Sequence, residues 1–308
     1  MGRKTALILI NNTAGLRQGQ DDTFDLVKEA AGAGFEPVVY PIIPGTGLTS
    51  ENIIGEYEGR IGALICVGGD GTLNHVTNSI MALKQENRPV IGYIPSGSTN
   101  DFARCLGIPE NREGAVRTAV RGRTYGYDIG RMNDSYFNYV AAFGAFSEIS
   151  YDTDQALKNV FGYAAYVINA ILKLPQNVAG GCKMKIEADG KTFEGEYIFG
   201  AVCNSVSVGG MKLFENESIK LNDGKMELLL INHPKNILEL NSILSALALG
   251  SVNNPHIVIK QIKSVSFKAP SPVSWTLDGE FGGSSDSTEI SVIKRGMRIR
   301  AGSRAREG

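Results

Sequence analysis

The sequence has almost no net charge: 31 lysines and arginines stand against 32 aspartates and glutamates, a formal −1 over 308 residues. That balance excludes a nucleic-acid protein drawing its affinity from a broad cationic surface, though not a small basic patch. Cysteine is scarce. The four present, Cys66, Cys105, Cys182 and Cys203, show no CxxC or similar metal-ligand spacing, which argues for reduced thiols in a cytosolic protein. Cys66 lies in the apolar run 63–67, where a buried free thiol is expected. His75, His233 and His256 lie too far apart to form a ligand set, and structural roles are expected for all three. No stretch approaches the ~18 apolar residues of a spanning helix. The apolar run 6–10 near the N-terminus is too short for a signal-peptide core and suits a first strand. A protein of this kind meets a membrane only from its surface. The common nucleotide motifs, GxxxxGK[ST] and GxGxxG, are missing as well.

What is present is a chain long enough for two domains, with 37 glycines suited to tight turns and close backbone approaches. The first ~125 residues alternate strand and helix patterns. Strands are predicted at 5–10, 37–42, 62–67 and 89–94, with helices at 22–31, about 73–84 and from near Asn100. Apolar strands alternating with helices imply a parallel sheet covered on both faces, a Rossmann-like domain. After Tyr125 the pattern changes to short strands and hairpins. Asn133-Asp134-Ser135 separates 127–132 from 136–143, and Asp189-Gly190, suited to a type I′ turn, separates 183–188 from 192–201. Further β segments are expected at 226–231, 256–262, 265–267 and 274–277, with helices at 154–174 and 237–249. This half reads as an antiparallel β-sandwich. The domains are expected at 1–125 and 126–288, with final strands at 289–293 and 297–301 returning towards the first. No internal repeat stands out.

Three polar or glycine-rich loops follow three of the predicted strands: Asn11-Asn12-Thr13-Ala14-Gly15, Gly68-Gly69-Asp70-Gly71-Thr72-Leu73-Asn74, and the loop 95–102, PSGSTNDF. Ligands of an open parallel sheet bind beyond the carboxyl ends of its strands, so the three loops converge on one crevice. In the second loop the glycines let the backbone approach an anion, Thr72 adds a hydroxyl, and a following helix N-terminus favours phosphate. A carboxylate inside a phosphate cradle repels its ligand unless a cation lies between them, which makes Asp70 a handler of Mg²⁺. The other reading is a tight turn with Asp70 as helix cap.

GGDGTLN, then PSGSTNDFAR, and much later LDGE resemble the catalytic domain of the diacylglycerol kinase family, most closely the bacterial soluble lipid kinases, with sphingosine and ceramide kinases as relatives. GGDGT alone also occurs in NAD kinases and phosphofructokinases; the combination in this order, over nearly the whole chain, is specific. The resemblance implies a nucleotide domain of NAD kinase/phosphofructokinase type followed by a β-sandwich, with ATP and lipid meeting in the cleft between them. It assigns Asn11 to Gly15, Thr46, Gly68 to Asn74 and Ser98 to the nucleotide site. The family pattern at the first loop is NPxSG; this chain has NNTAG, keeping Asn11 and Gly15.

The same resemblance makes Glu280, the glutamate of LDGE, the acceptor of the hydroxyl proton. Without the other motifs it reads as a solvated hairpin carboxylate. Asp128 and Asp101 are implied in an acidic, water-bridged network around the catalytic Mg²⁺; N-capping explains Asp101 equally well. Arg104 reads either as a partner for phosphate charge or as a helix-surface cation. A second, structural Mg²⁺ is implied at the turn 219–226, IKLNDGKM, through the Asp223 carboxylate and the backbone carbonyls of Lys220 and Lys225; read by itself, NDG is a hairpin turn. The stretch 160–172 is apolar all round, which fits core packing, or an acyl-chain pocket or membrane contact with Lys158 and Lys173 at its ends. The expected reaction is ATP-dependent phosphorylation of diacylglycerol to phosphatidic acid. Phosphatidylglycerol, a sphingoid base, a ceramide or an undecaprenol are alternative acceptors; NAD kinase and a non-catalytic nucleotide- or lipid-sensing module are alternative readings. The expected setting is the cytoplasm, peripheral to the inner face of the plasma membrane, and a homodimer is implied only by analogy.

Overall fold

The computed structural model describes residues 4–11, 20–43, 45–97, 100–144, 181–205, 207–208, 211–212, 220–248, 253–303 and 305. The chain divides into two compact units, Met1–Tyr127 with Arg295–Gly308, and Asp128–Lys294.

The first unit holds β1 (Thr5–Ile10), α1 (Gln20–Gly32), β2 (Glu36–Pro41), α2 (Ser50–Glu56), β3 (Ile61–Gly68), α3 (Asp70–Met81), β4 (Ile91–Pro95), α4 (Asp101–Cys105) and α5 (Arg112–Arg121). β1 runs parallel to both β2 and β3, and β3 parallel to β4, with Leu64 to Gly68 opposite Ile91 to Pro95. The interior strands are apolar along their length: Ala6 to Leu9 and Leu64 to Cys66 are all but fully buried. A strand buried on both faces cannot alternate polar and apolar residues, hence the continuous runs in the sequence. Gly92 explains how α5 reaches the sheet, since a Cβ there would meet the Ala119 carbonyl oxygen at 2.3 Å. α2 and α5 have no counterpart among the sequence expectations. α2 is a single short helix of seven residues, capped by Thr49, whose side chain accepts from Asn52 N. α5 begins at the cap Asn111 and carries Arg112, Arg117 and Arg121, which blur its buried stripe of Ala115, Val116, Ala119 and Val120.

The second unit follows from β5 (Arg123–Met132), which enters it at Asp128, through β6 (Ser135–Phe137), β7 (Val140–Gly144), β8 (Cys182–Ala188), β9 (Lys191–Cys203), β10 (Ser207–Val208), β11 (Met211–Lys212), β12 (Met226–Asn232), α6 (Ile237–Ala248), β13 (Ile257–Ile262), β14 (Ser264–Leu277) and β15 (Glu280–Ala301). β15 passes into the first unit at Arg295, where Ile299 pairs in parallel with Ile91 of β4. The pairings of β5 with β6, of β9 with β7, β8 and β12, of β12 with β13, of β14 with β7, β8 and β15, and of β10 with β11 are antiparallel. Two long strands hold the unit together: β9 pairs β8 with its first half and β7 with its second, and β14 does the same from the other side. Asp189 and Gly190 both take positive φ, +45° and +78°, as the expected type I′ hairpin turn requires.

The short strands expected at 265–267 and 274–277 are the two ends of the single strand β14, and those at 289–293 and 297–301 are parts of β15. Pro270 and Pro272 make the middle of β14 look like a break in the sequence. They fall in the irregular stretch between Lys268 and Val273, where the register shifts and no ladder donor is needed. The segment 136–143 is in turn divided between β6 and β7. The predicted helix 154–174, with its candidate lipid-facing stretch 160–172, lies outside the described residues.

Phe143, Phe267 and Trp275 form an edge-on aromatic cluster, with centroids 5.0 to 5.8 Å apart, at the centre of this core. Trp275 is 1% exposed. Replacing it with Ala should destabilise the protein by about 3–5 kcal/mol, read as a lower urea midpoint. A loss under about 1 kcal/mol would show that the core is not built around this ring.

Candidate functional site

The three polar loops of the first unit are tied together by hydrogen bonds. At the end of β1, the Asn11 backbone N–H donates to Val67 O at 2.9 Å, and its side-chain amide donates to Thr72 Oγ1 at 2.8 Å. Ser96 N, at the end of β4, donates to Gly68 O at 2.9 Å. Gly97 comes so close to the second loop that a Cβ on it would lie 3.0 Å from Gly69 Cα. Gly68 is needed for a similar reason: its Cβ would stand 2.6 Å from the Thr72 side chain. These are the carboxyl ends of neighbouring parallel strands, where an open sheet takes its ligands.

α3 starts at Asp70, with Gly69 at the cap position offering no side chain to the helix end. The first-turn N–H groups of such a helix, with its dipole, favour an anion. Asp70 lies in that turn, so it is a helical residue and not the cap. Its Oδ1 accepts from the Tyr93 hydroxyl at 3.1 Å. Tyr93, fully buried in β4, has no signal in the sequence beyond its place in an apolar strand. Thr72, Leu73 and Asn74 are buried beneath the loop.

In the third loop, Asn100 adopts the left-handed conformation at φ +49° and closes on Gly97, donating to Gly97 O at 2.8 Å and accepting from Gly97 N at 2.9 Å. It is the cap of α4. Asp101 is the first helical residue, fully buried, with Arg104 Nη1 4.0 Å from its Oδ1 and largely exposed. N-capping therefore does not account for Asp101. Thr46 is exposed and closes its own turn, donating to Ile43 O at 2.8 Å and accepting from Leu48 N at 3.1 Å. Asn12, Thr13, Ala14, Gly15 and Ser98 lie outside the described residues.

In the second unit, Glu280 opens β15, paired with Leu277 and exposed. The intervening Asp278 is 2% exposed. Its carboxylate accepts from Asn138 N (2.7 Å), Asn138 Nδ2 (2.9 Å), Tyr139 N (2.9 Å) and Val140 N (3.1 Å). Asp128, also buried, is joined to the turn around Asp223: Asp128 N donates to Leu221 O at 2.7 Å, and Gly224 N donates to Asp128 Oδ2. Asn204 Nδ2 donates to Asp128 O at 3.1 Å. The structure thus brings Asp128 to the candidate structural-metal turn. Asp223 Oδ1 accepts from Lys225 N at 2.9 Å, and Lys220 is exposed.

Beside this turn, Asn204 Oδ1 and Glu227 Oε2 are buried side-chain oxygens with no hydrogen-bond partner among the described residues. Burial first, and the neighbouring Asp223 charge after it, outweigh the Gln261 hydrogen bond and push the Glu227 carboxyl up to about 7. Unsatisfied oxygens and uncompensated negative charge are what a hard cation with oxygen ligands would relieve. Two of the thiols are held protonated: burial pushes Cys66 up to about 12, and burial with the Glu227 charge also raises Cys203.

Residues 5–132 match the diacylglycerol kinase catalytic domain family. A diacylglycerol kinase of Staphylococcus aureus strain bovine RF122 / ET3-1 is 34% identical over 284 residues, covering 91% of this chain and 87% of that protein. This chain belongs to the diacylglycerol kinase catalytic-domain family. The diacylglycerol kinase of S. aureus strain MRSA252 matches over the same shares. Among solved structures, a diacylglycerol kinase from Bacillus anthracis str. Sterne is 21% identical, covers 98% of this chain and 99% of its own, and has a TM-score of 0.78. A second B. anthracis structure gives a TM-score of 0.81 at 23% identity over 97% and 96% of the two chains. These structural likenesses support the fold of the family member.

Proposed function

We propose that this diacylglycerol kinase family member is an ATP-dependent lipid kinase that moves the γ-phosphate of ATP to the hydroxyl of a membrane lipid, with diacylglycerol as acceptor and phosphatidic acid and ADP as products. The observation that carries the reading is the hydrogen-bonded junction of Asn11, Gly68–Thr72 and Ser96–Gly97 at the strand ends, with a helix N-terminus inside it. Donors and a positive dipole end suit phosphates, not a neutral ligand.

In this reading Asn11 to Gly15, Thr46, Gly68 to Asn74 and Ser98 bind the nucleotide, and Asp70 holds Mg²⁺, oriented by the Tyr93 hydroxyl. When bound, the metal neutralises charge on the transferring phosphoryl group. Glu280, exposed at the head of β15, accepts the proton of the lipid hydroxyl. Asp101, at the start of α4, and Asp128, beside the Asp223 turn, are the further acidic groups of this reading. The lipid is reached from the membrane surface on the cytoplasmic side; among the described residues no helix is long and apolar enough to cross a membrane.

A second Mg²⁺ is proposed at Asp223, with the carbonyls of Lys220 and Lys225. Chelation by EDTA should lower the thermal midpoint of the parent by about 3–8 °C, the effect of losing a ligand held at many times its Kd. Asp223→Asn should abolish that difference, and an equal EDTA shift in the variant would remove Asp223 from the site.

The reading is tested by γ-labelled ATP and Mg²⁺ with a panel of micellar lipids, and NAD in parallel. Label in phosphatidic acid is the expected result. Label in another lipid would keep the mechanism and change the acceptor. Label in NADP, or none anywhere, would overturn it.

A further inference from the structure

The turn that carries Glu280 is anchored in an unusual way. Asp278 and Gly279 are the two central residues of the β14–β15 hairpin, at φ +51° and +92°. A type I′ turn accepts asparagine, aspartate or glycine at its first position, so turn geometry alone does not call for a carboxylate. The surroundings do. Three consecutive backbone N–H groups, of residues 138 to 140, and the Asn138 side-chain amide all point at the two Asp278 oxygens, and Asp278 N returns a bond to Val140 O at 2.9 Å. Asn138, Tyr139 and Val140 are themselves buried.

Four donors converging on two oxygens need a group that only accepts, which is an ionised carboxylate. An asparagine would turn an NH₂ towards two N–H donors. The Asp189-Gly190 turn provides an internal comparison. Its aspartate also accepts backbone N–H groups, from Lys263 and Ser264, but on the exposed surface. The buried version is thus more than a hairpin requires.

We infer that Asp278 is a positioning residue for phosphotransfer: clamped to the chain that leads into β7, it fixes the turn from which Glu280 is presented. The inference rests on the reading of Glu280 as base. Leu277 pairs with Ala141 on one side and with Glu280 on the other, so the clamp is one residue from the base's own partner in the ladder. Release of the clamp lets the head of β15 move without unmaking the rest of the strand. A displacement of about 1 Å in a catalytic group can cost ~10²-fold in rate.

The experiment is a double-mutant cycle on kcat, with D278N, E280Q, the double variant, and D189N as the same change at the other turn. D278N should lower kcat on the order of 10²-fold, leave the KM for ATP within about twofold, and cost nothing further in the E280Q background. D189N should leave kcat unchanged. A D278N kcat within about twofold of the parent would overturn the inference, as would an equal loss with and without Glu280, or a matching loss in D189N. Should D278N fail to fold, N138A, which removes one side-chain donor, takes its place in the same cycle with a smaller loss. An active E280Q would mark the failure of the base reading itself, and the inference would fall with it. A slow E280Q with an additive cycle would sink the positioning role alone.

Discussion

Glu280→Gln is expected to reduce kcat by about 10²–10⁴-fold, the range that a positioned general base contributes. The substitution preserves size and hydrogen-bonding reach while removing the ability to take a proton, and at an exposed strand start it should leave folding intact. Binding of ATP should not change, because glutamine keeps the size and polarity of the side chain and glutamate is asked here only to take a proton. The informative comparison is therefore kcat against ATP affinity, measured by phosphate transfer and by equilibrium titration. Turnover within about threefold of the parent, in a folded variant, would discard Glu280 as the base.

Asp70→Asn should be nearly as damaging, for a different reason. Asparagine can still accept from the Tyr93 hydroxyl, now 3.1 Å from Asp70 Oδ1, and can stand in the first turn of α3. What it loses is the negative charge that lets a divalent cation sit beside phosphate. The expected outcome is a kcat lowered by about 10²–10³-fold, comparable with removal of one fixed group that stabilises developing charge, together with a raised Mg²⁺ requirement. A Mg²⁺ titration with the parent's half-saturation and near-parental turnover would sink the assignment.

The parts of the site that are legible in the sequence are those whose chemistry is local. Gly68, Gly69 and Gly71 before Thr72 announce close backbone approach, and Gly68 proves to leave no room for a Cβ against Thr72. The three loops read as neighbours because a parallel sheet puts all its carboxyl ends on one side. The first-unit strands were readable because full burial makes them uniformly apolar. β14 was not: its proline-containing centre looks like a loop, and only its pairing with β7, β8 and β15 shows one strand.

The sequence by itself determined the family, through GGDGTLN, PSGSTNDFAR and LDGE in order, and with it the mixed α/β and β fold class. It also placed the close backbone approach at Gly68 and the type I′ turn at Asp189-Gly190, since backbone conformation at such positions depends on the residues themselves. Only the tertiary structure decided which distant groups meet. Asp278 meets its donors across about 140 residues of chain, Tyr93 reaches Asp70 from the next strand, and Asp128 joins the Asp223 turn 96 residues away through Gly224. Those donors are mostly backbone N–H groups, which every residue but proline carries. Nothing in the residue types marks them, and only the folded path of the chain, strands and connecting turns together, brings them into place.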